Sequence, residues 1–210
     1  MELFNYYRSS ASWRVRIALA LKGLPYDYRS IHLRKNEQLG PEFSALNPAH
    51  LVPLLRDGGA SLTQSLAIIE YLDETHPEPP LLPPDAIGRA RVRALALDIA
   101  CEIHPLNNLR VLRYLVKQGG QSEEAKNHWV QHWIGLGFEL VEAKLRDRGA
   151  HFCDGTAPGL ADCLLVPQVY NAQRFDCDLS AFPNILRVNE NCLAHEAFAR
   201  SHPSLCPDAE

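Results

Sequence analysis

Ser9, Ser10 and Ser12 lie close together in the run Tyr6-Tyr7-Arg8-Ser9-Ser10-Ala11-Ser12-Trp13-Arg14-Val15-Arg16-Ile17-Ala18-Leu19, and after Glu2 no acidic residue occurs until Asp27. The alternation Glu2-Leu3-Phe4-Asn5-Tyr6 before it reads as a half-buried strand. A helix follows with Val15, Ala18, Leu19 and Lys22 on one side, stopped by Gly23 and Pro25. Hydroxyls at a helix start accept from its unpaired N–H groups, and that end carries roughly half a positive charge. Such a junction holds an anion, and a thiolate is one such anion because its pKa falls beside a helix N-terminus. The alternative is that the serines only cap the helix.

The elements that position this junction follow from the rest of the chain. Its 210 residues suit one large domain or two small ones. A net charge of −4 without a long charged block argues against a nucleic-acid surface. No apolar run is long enough to span a membrane and no signal-peptide pattern opens the chain, which predicts a cytoplasmic protein. The six cysteines, Cys101, Cys153, Cys163, Cys177, Cys192 and Cys206, form no C-x-x-C pair, so free thiols are expected and no metal site is indicated.

Residues 1–80 read as an α/β unit. A second strand over Tyr26–Leu33 pairs in parallel with the first through the helix. A short helix over Asn36–Ala45 is interrupted at Gly40-Pro41 and ended by Asn47-Pro48. A hairpin runs from Val52 to Thr63 through Asp57-Gly58-Gly59, with a cis bond allowed at Val52-Pro53. After Gln64-Ser65 comes a helix over Leu66–Thr75 with Ile68, Ile69 and Leu72 inward. Residues 77–84 contain five prolines and form a linker. Residues 86–210 then read as all-α: a long helical pattern to Lys117 broken near Pro105, a second over Glu123–Arg146, a buried one over Leu160–Arg174 and an amphipathic stretch over Ile185–Arg200.

The opening run resembles the motif of zeta-class glutathione transferases. The resemblance continues through Ala45-Leu46-Asn47-Pro48, Val52-Pro53, Gln64-Ser65-Leu66-Ala67-Ile68-Ile69-Glu70-Tyr71-Leu72, His104-Pro105-Leu106-Asn107-Asn108, and Gly159-Leu160-Ala161-Asp162-Cys163-Leu164-Leu165-Val166-Pro167-Gln168. It implies the glutathione transferase fold, a thioredoxin-like α/β N-terminal domain followed by an all-α C-terminal domain, assembled as a homodimer with glutathione as cofactor. It implies that Ser9 activates the glutathione sulfur with Ser10 beside it. Val52 would offer backbone hydrogen bonds to the cysteinyl part, and Gln64 and Ser65 would hold the γ-glutamyl carboxylate. His104, Asn108 and Arg110 would reach in from the helical part.

Departures from the family pattern matter for the chemistry. Ala11 stands where many members have cysteine, and no cysteine precedes Cys101, so sulfur chemistry near Ser9 is expected to come from glutathione. Arg110 replaces a serine found in some relatives, and Gly159 takes the N-cap place before Asp162. The activity implied is glutathione-dependent cis–trans isomerisation of maleylacetoacetate in tyrosine and phenylalanine breakdown. Two alternatives stay open: maleylpyruvate isomerisation in gentisate breakdown, and a transferase-like binding module without isomerase activity. Conjugating transferase activity is an expected side reaction. Both substrates carry two carboxylates, so Arg8, Arg110 and Arg174 are the candidate carboxylate ligands, because a guanidinium bonds carboxylate at two points and stays charged. His128 and His132 share a helix face without further ligands and are expected to face solvent, while Trp129 and Trp133 are expected to pack.

Overall fold

Leu3 and Asn5 are wholly buried while Glu2 and Phe4 are partly exposed, the alternation that makes Glu2–Asn5 the strand β1. The computed structural model describes residues 1–210 and divides into two units, Met1–Leu81 with Ala194–Glu210, and Leu82–Leu193. In the first unit β1 leads through α1 (Ser10–Leu21) to β2 (Asp27–Ser30). A short helix α2 (Pro41–Leu46) precedes the hairpin β3 (Leu54–Asp57) and β4 (Ala60–Thr63), and α3 (Ser65–Thr75) packs against α1. The sheet order is β2-β1-β3-β4, with β1 parallel to β2 and antiparallel to β3. Gly58 takes φ +55 at the hairpin turn, a conformation glycine adopts without a Cβ clash.

β2 is shorter than the sequence predicts. His32 turns the chain out of the strand, its Nδ1 accepting from the Lys35 N–H at 3.3 Å while its own N–H donates to Glu37 Oε2 at 2.6 Å. The segment predicted as one interrupted helix is a 3₁₀ turn at Glu37–Leu39 followed by α2, because Pro41 opens the helix at its first position. Val52-Pro53 is cis.

Lys22 fastens the end of the first unit. Its side chain is fully buried, with Nζ 2.6 Å from Asp73 Oδ1 and 2.7 Å from the carbonyls of both His76 and Pro79. Asp73 Oδ1 also accepts from the Leu81 N–H at 2.8 Å. One ammonium thus joins α1, α3 and the proline-rich segment, and all three of its protons are used. Lys22→Met is expected to lower unfolding stability by about 3–5 kcal/mol, since it strands buried acceptors. Urea titration checks this, and a loss under 1 kcal/mol would contradict it.

The second unit is all helical: α4 (Ala86–Leu97), α5 (Leu109–Lys117), α6 (Glu123–Arg148), α7 (Leu160–Arg174) and α8 (Pro183–Leu193). Pro105 breaks the long pattern more widely than the sequence suggests. A π-helical segment at Asp98–Ile103 and a 3₁₀ turn at His104–Asn107 separate α4 from α5. Proline has no N–H to give and its ring crowds the carbonyl four residues back, so the deformation spreads N-terminally.

The predicted stretch Ile185–Arg200 is two helices. α8 belongs to the second unit, while α9 (Glu196–Arg200) packs against α1 in the first. His195 starts α9, its Nδ1 accepting from the Ala197 N–H at 3.3 Å. Residues 194–210 therefore group with 1–81, where the sequence reading places them with the helices.

Candidate active site

Ser9 is the N-cap of α1. Its N–H donates to the Tyr6 carbonyl at 3.0 Å, and its Oγ accepts from the Ser12 N–H at 3.2 Å. A seryl hydroxyl has one proton to donate and two lone pairs. Capping uses a lone pair, so the proton stays available to an anion outside the helix end. The two readings of the serines are thus compatible at Ser9. Ser10 is the first residue of the helix itself and is nearly buried.

Arg8 is half-buried and forms no ion pair, so an acidic neighbour does not neutralise it. Tyr6 and Tyr7 beside it meet edge to face at 4.8 Å. Burial, with a smaller contribution from Tyr7, pushes the Tyr6 phenol up to about 12, which Arg8 opposes. That phenol is no base at neutral pH.

Val52 lies one residue before the cis proline, in a cluster with Tyr6, Tyr7, Phe43 and Leu54. The sheet ladders begin at Leu54, so the backbone of Val52 lies outside them. Gln64 is exposed with φ +68 and ψ 114, a conformation costly for a residue with a Cβ and concentrated at functional sites. No side chain caps α3 at Gln64. The first N–H groups of α3 therefore lack a side-chain cap, as a carboxylate site requires.

Two residues here were not singled out as site residues in the sequence. Arg14 is 2% exposed and its Nη1 donates to Ser65 Oγ at 3.2 Å. With its lone pair so engaged, the Ser65 hydroxyl directs its proton elsewhere. Arg16 is 1% exposed and bonds the carbonyls of Tyr6 and Tyr7, ahead of Ser9. The signal in the sequence was two arginines within one helix and no acidic residue near them.

No cysteine occurs in the first eighty residues of the sequence, and one joins the first unit from the far end of the chain. Cys206, far along the chain, packs against the Tyr6, Tyr7 and Val52 cluster. Its Sγ donates to the His202 carbonyl at 3.8 Å, and burial pushes its pKa up despite the charge of Arg16.

His104, Asn108, Arg110 and Arg174 belong to the second unit. The turn carrying His104 is held by Trp129, whose Nε1 donates to the Leu106 carbonyl at 2.7 Å, and by Asn107, whose Nδ2 donates to the Ile103 carbonyl at 2.9 Å. Asn171 Nδ2 donates to Asn107 Oδ1 at 3.0 Å, so α7 fixes the same turn. Trp129 thus anchors the turn as well as packing. Asn108 caps α5, its Oδ1 accepting from the Arg110 N–H at 3.1 Å, which leaves its amide protons for a ligand. Arg110 is exposed, and Arg174 is exposed with its guanidinium 5.8 Å from the Phe175 ring centre. His128 and His132 are exposed, as expected.

Gly159 caps α7 without a side chain, and Asp162 supplies the missing bond by accepting from the Gly159 N–H at 2.9 Å. Its other oxygen accepts from the Cys153 N–H at 2.8 Å. Burial pushes the Asp162 carboxyl up, opposed by those two N–H donors. Asp162→Ala is expected to cost about 2–4 kcal/mol of stability, since both N–H groups lose their acceptor. Thermal unfolding with the conservative Asp162→Asn beside it checks this, and equal stability of Asp162→Ala and the parent chain would contradict it.

Residues 3–80 match the family model described as glutathione S-transferase, N-terminal domain. A probable maleylacetoacetate isomerase of Vibrio cholerae is 51% identical, the match covering 99% of this chain and 97% of the relative. Among solved structures, the holo form of a maleylpyruvate isomerase, described as a bacterial zeta-class glutathione S-transferase, superposes with a TM-score of 0.98 at 50% identity, covering 100% of both chains. A maleylacetoacetate isomerase from Methylobacterium extorquens AM1, solved with malonate and glutathione, gives a TM-score of 0.96 at 38% identity, again over 100% of both chains. With the thioredoxin-like sheet, the helical second unit and the serine-capped α1 in place, these likenesses along the full length show that the chain belongs to the zeta-class glutathione transferases, the family of the maleylacetoacetate and maleylpyruvate isomerases.

Proposed function

We propose that this chain is a glutathione-dependent cis–trans isomerase that converts maleylacetoacetate to fumarylacetoacetate. The observation that carries the reading is the Ser9 cap: a hydroxyl that completes the helix end with a lone pair and keeps its proton for an anion. The full-length likeness to a holo maleylpyruvate isomerase favours maleylpyruvate as the second candidate substrate.

The residues present fit glutathione. Its carboxylate requires donors without competing caps, which the N-terminus of α3 at Gln64 and Ser65 provides. Its peptide portion requires backbone groups not already used in the sheet, and Val52, outside the ladders, is the proposed partner. His104 and Asn108 complete the proposed ligand set from the second unit. When bound, glutathione supplies a thiolate that adds reversibly to the conjugated cis double bond and makes it a single bond free to rotate. Ser9 donates its proton toward the sulfur, and the α1 N-terminus adds its partial positive charge. Lowering a thiol pKa by one to two units requires about 1.4 kcal/mol per unit, within reach of these two effects together. Ser10 supports the same helix end.

Arg8, Arg110 and Arg174 are the proposed ligands of the substrate carboxylates, and Arg8 is also proposed to stabilise charge developing on the ketone oxygen. Arg→Met at each position is expected to lower kcat/KM for isomerisation by one to two orders of magnitude, the loss of one charge-assisted bond of about 1.5–3 kcal/mol. Conjugation of an uncharged electrophile, assayed in parallel, is expected to fall much less. Equal loss of both reactions would mean that these arginines serve glutathione or folding.

No helix is long and apolar enough to cross a membrane. A cytoplasmic homodimer is the proposed working form, and sedimentation of the purified chain tests the oligomeric part. Retention on immobilised glutathione followed by turnover of maleylacetoacetate and maleylpyruvate tests the function. Retention without turnover of either would favour the binding-module reading.

A further inference from the structure

Arg16 is the least expected side chain in the first unit. It is 1% exposed, yet no carboxylate pairs with it. Its partners are neutral: Asn5 Oδ1 at 3.0 Å from Nη1, the Tyr7 carbonyl at 2.9 Å from Nη2, the Tyr6 carbonyl at 3.5 Å and the Ser201 carbonyl at 3.4 Å from Nε. A buried charge is costly and is ordinarily paired. Here the guanidinium is hydrogen-bonded without being neutralised.

Its place explains what that charge can do. Arg16 lies seven residues beyond Ser9, two turns along α1 and on nearly the same face, and helical side chains lean toward the N-terminus. The guanidinium reaches back to the two carbonyls that precede Arg8 and Ser9. The Tyr6 carbonyl that it holds is the one that also accepts from the Ser9 N–H at 3.0 Å, so one oxygen ties Arg16 to the turn presenting the Ser9 hydroxyl.

The charge acts on the groups around it. Arg16 pulls down Tyr26, Tyr28, Cys206 and His202, in each case against or alongside the effect of burial. The Asp208 carboxylate forms no ion pair with Arg16 and is held by neutral donors, the Tyr7 N–H at 3.2 Å, Ser30 Oγ at 2.9 Å and the Tyr28 hydroxyl, so its charge acts on Cys206 in the opposite sense to that of Arg16. Arg8 adds charge of the same sign from the loop, and Arg200 from α9.

We propose that Arg16 is a positioning residue of the isomerase site, which fixes the Tyr6–Ser9 turn and, as a buried cation outside any ion pair, favours thiolate over thiol at Ser9. This rests on the reading that glutathione binds with its sulfur at Ser9. A unit charge about 10 Å away, at an effective dielectric near 20, shifts a pKa by about one unit.

Asn5→Asp tests it. The change is nearly isosteric and puts a carboxylate 3.0 Å from Nη1, neutralising the cation while keeping the fork's contacts. Ultraviolet titration of bound glutathione thiolate is expected to show a pKa about one unit above that of the parent chain. The kcat/KM profile should move up in pH by the same amount, with about tenfold loss on the acidic limb and recovery at high pH. A merely structural effect would lower activity at every pH without moving the profile. An unmoved titration in Asn5→Asp overturns the role of the charge. Should that variant fail to fold, Arg16→Lys decides: it keeps a cation but loses the fork, so it is expected to melt lower while the thiol titrates near the parent value. Titration at the free-glutathione value in that variant would overturn the proposal. If the parent chain itself shows no lowered thiol pKa, the glutathione site at Ser9 is wrong, a failure distinct from that of Arg16.

Discussion

Isomerisation is expected to be absent from protein stripped of glutathione, and to stay absent when S-methylglutathione is supplied in its place. The reaction needs a sulfur nucleophile that can leave again. The first unit offers none in an active state, and the exposed Cys101 belongs to the second unit. Ala11 holds the place where a cysteine would stand beside Ser9, and all six cysteines lie at or beyond residue 101. Cys153, Cys163 and Cys192 are buried, and burial with the Asp162 charge pushes Cys153 and Cys192 up. Cys177 is pushed up to about 11, chiefly by burial, so it is protonated at neutral pH. Cys206 is the one thiol of the first unit, and burial keeps it on the thiol side as well. Product formation is followed spectrophotometrically, with Cys206→Ser measured beside the parent chain. Restoration of turnover by S-methylglutathione, or loss of turnover only in Cys206→Ser, would show that a protein thiol performs the addition.

Ser9→Ala is expected to lower kcat/KM by one to two orders of magnitude, and Ser10→Ala by much less. A hydrogen bond to a charged acceptor is worth about 1.5–3 kcal/mol, which is the loss expected when the Ser9 proton no longer reaches the sulfur. Ser9→Ala also removes the cap on Ser12 N–H, with about 0.5–2 kcal/mol of stability. Ser9→Gly separates the two effects, since glycine at an N-cap costs only a few tenths of a kcal/mol relative to serine. Activity of Ser9→Gly should therefore stay near that of Ser9→Ala while its melting temperature recovers. Equal losses at Ser9 and Ser10 would contradict the assignment, because Ser9 is the residue whose hydroxyl caps α1.

Local patterns made the Ser9 junction legible. Alternation in β1, hydroxyls at the strand-to-helix step and a glycine-proline stop are all short-range signals. The hairpin and the start of α3 were legible for the same reason. Arg14 and Arg16 were not, because charged residues on a helix are read as solvent-facing by default, and their partners are the distant Ser65 and Ser201 or backbone carbonyls. The split between α8 and α9 was hidden because neither glycine nor proline lies between Ile185 and Arg200; histidine is the cap. The clasp of the C-terminal segment depends on bonds such as Asp208 to Tyr7 and Tyr28, some 180 to 200 residues apart, which no periodicity encodes. At Pro105 the sequence showed a break, but not that the deformation would extend back to Asp98.

The central claim is that glutathione acts catalytically at Ser9 to turn a cis double bond into a trans one. Proton NMR of maleylacetoacetate mixed with the chain and a small fraction of an equivalent of glutathione tests it most directly. The account predicts that all the cis olefin becomes trans while the glutathione signals remain those of the free thiol. Stoichiometric conversion of glutathione to a thioether, or an olefin left cis, would contradict it.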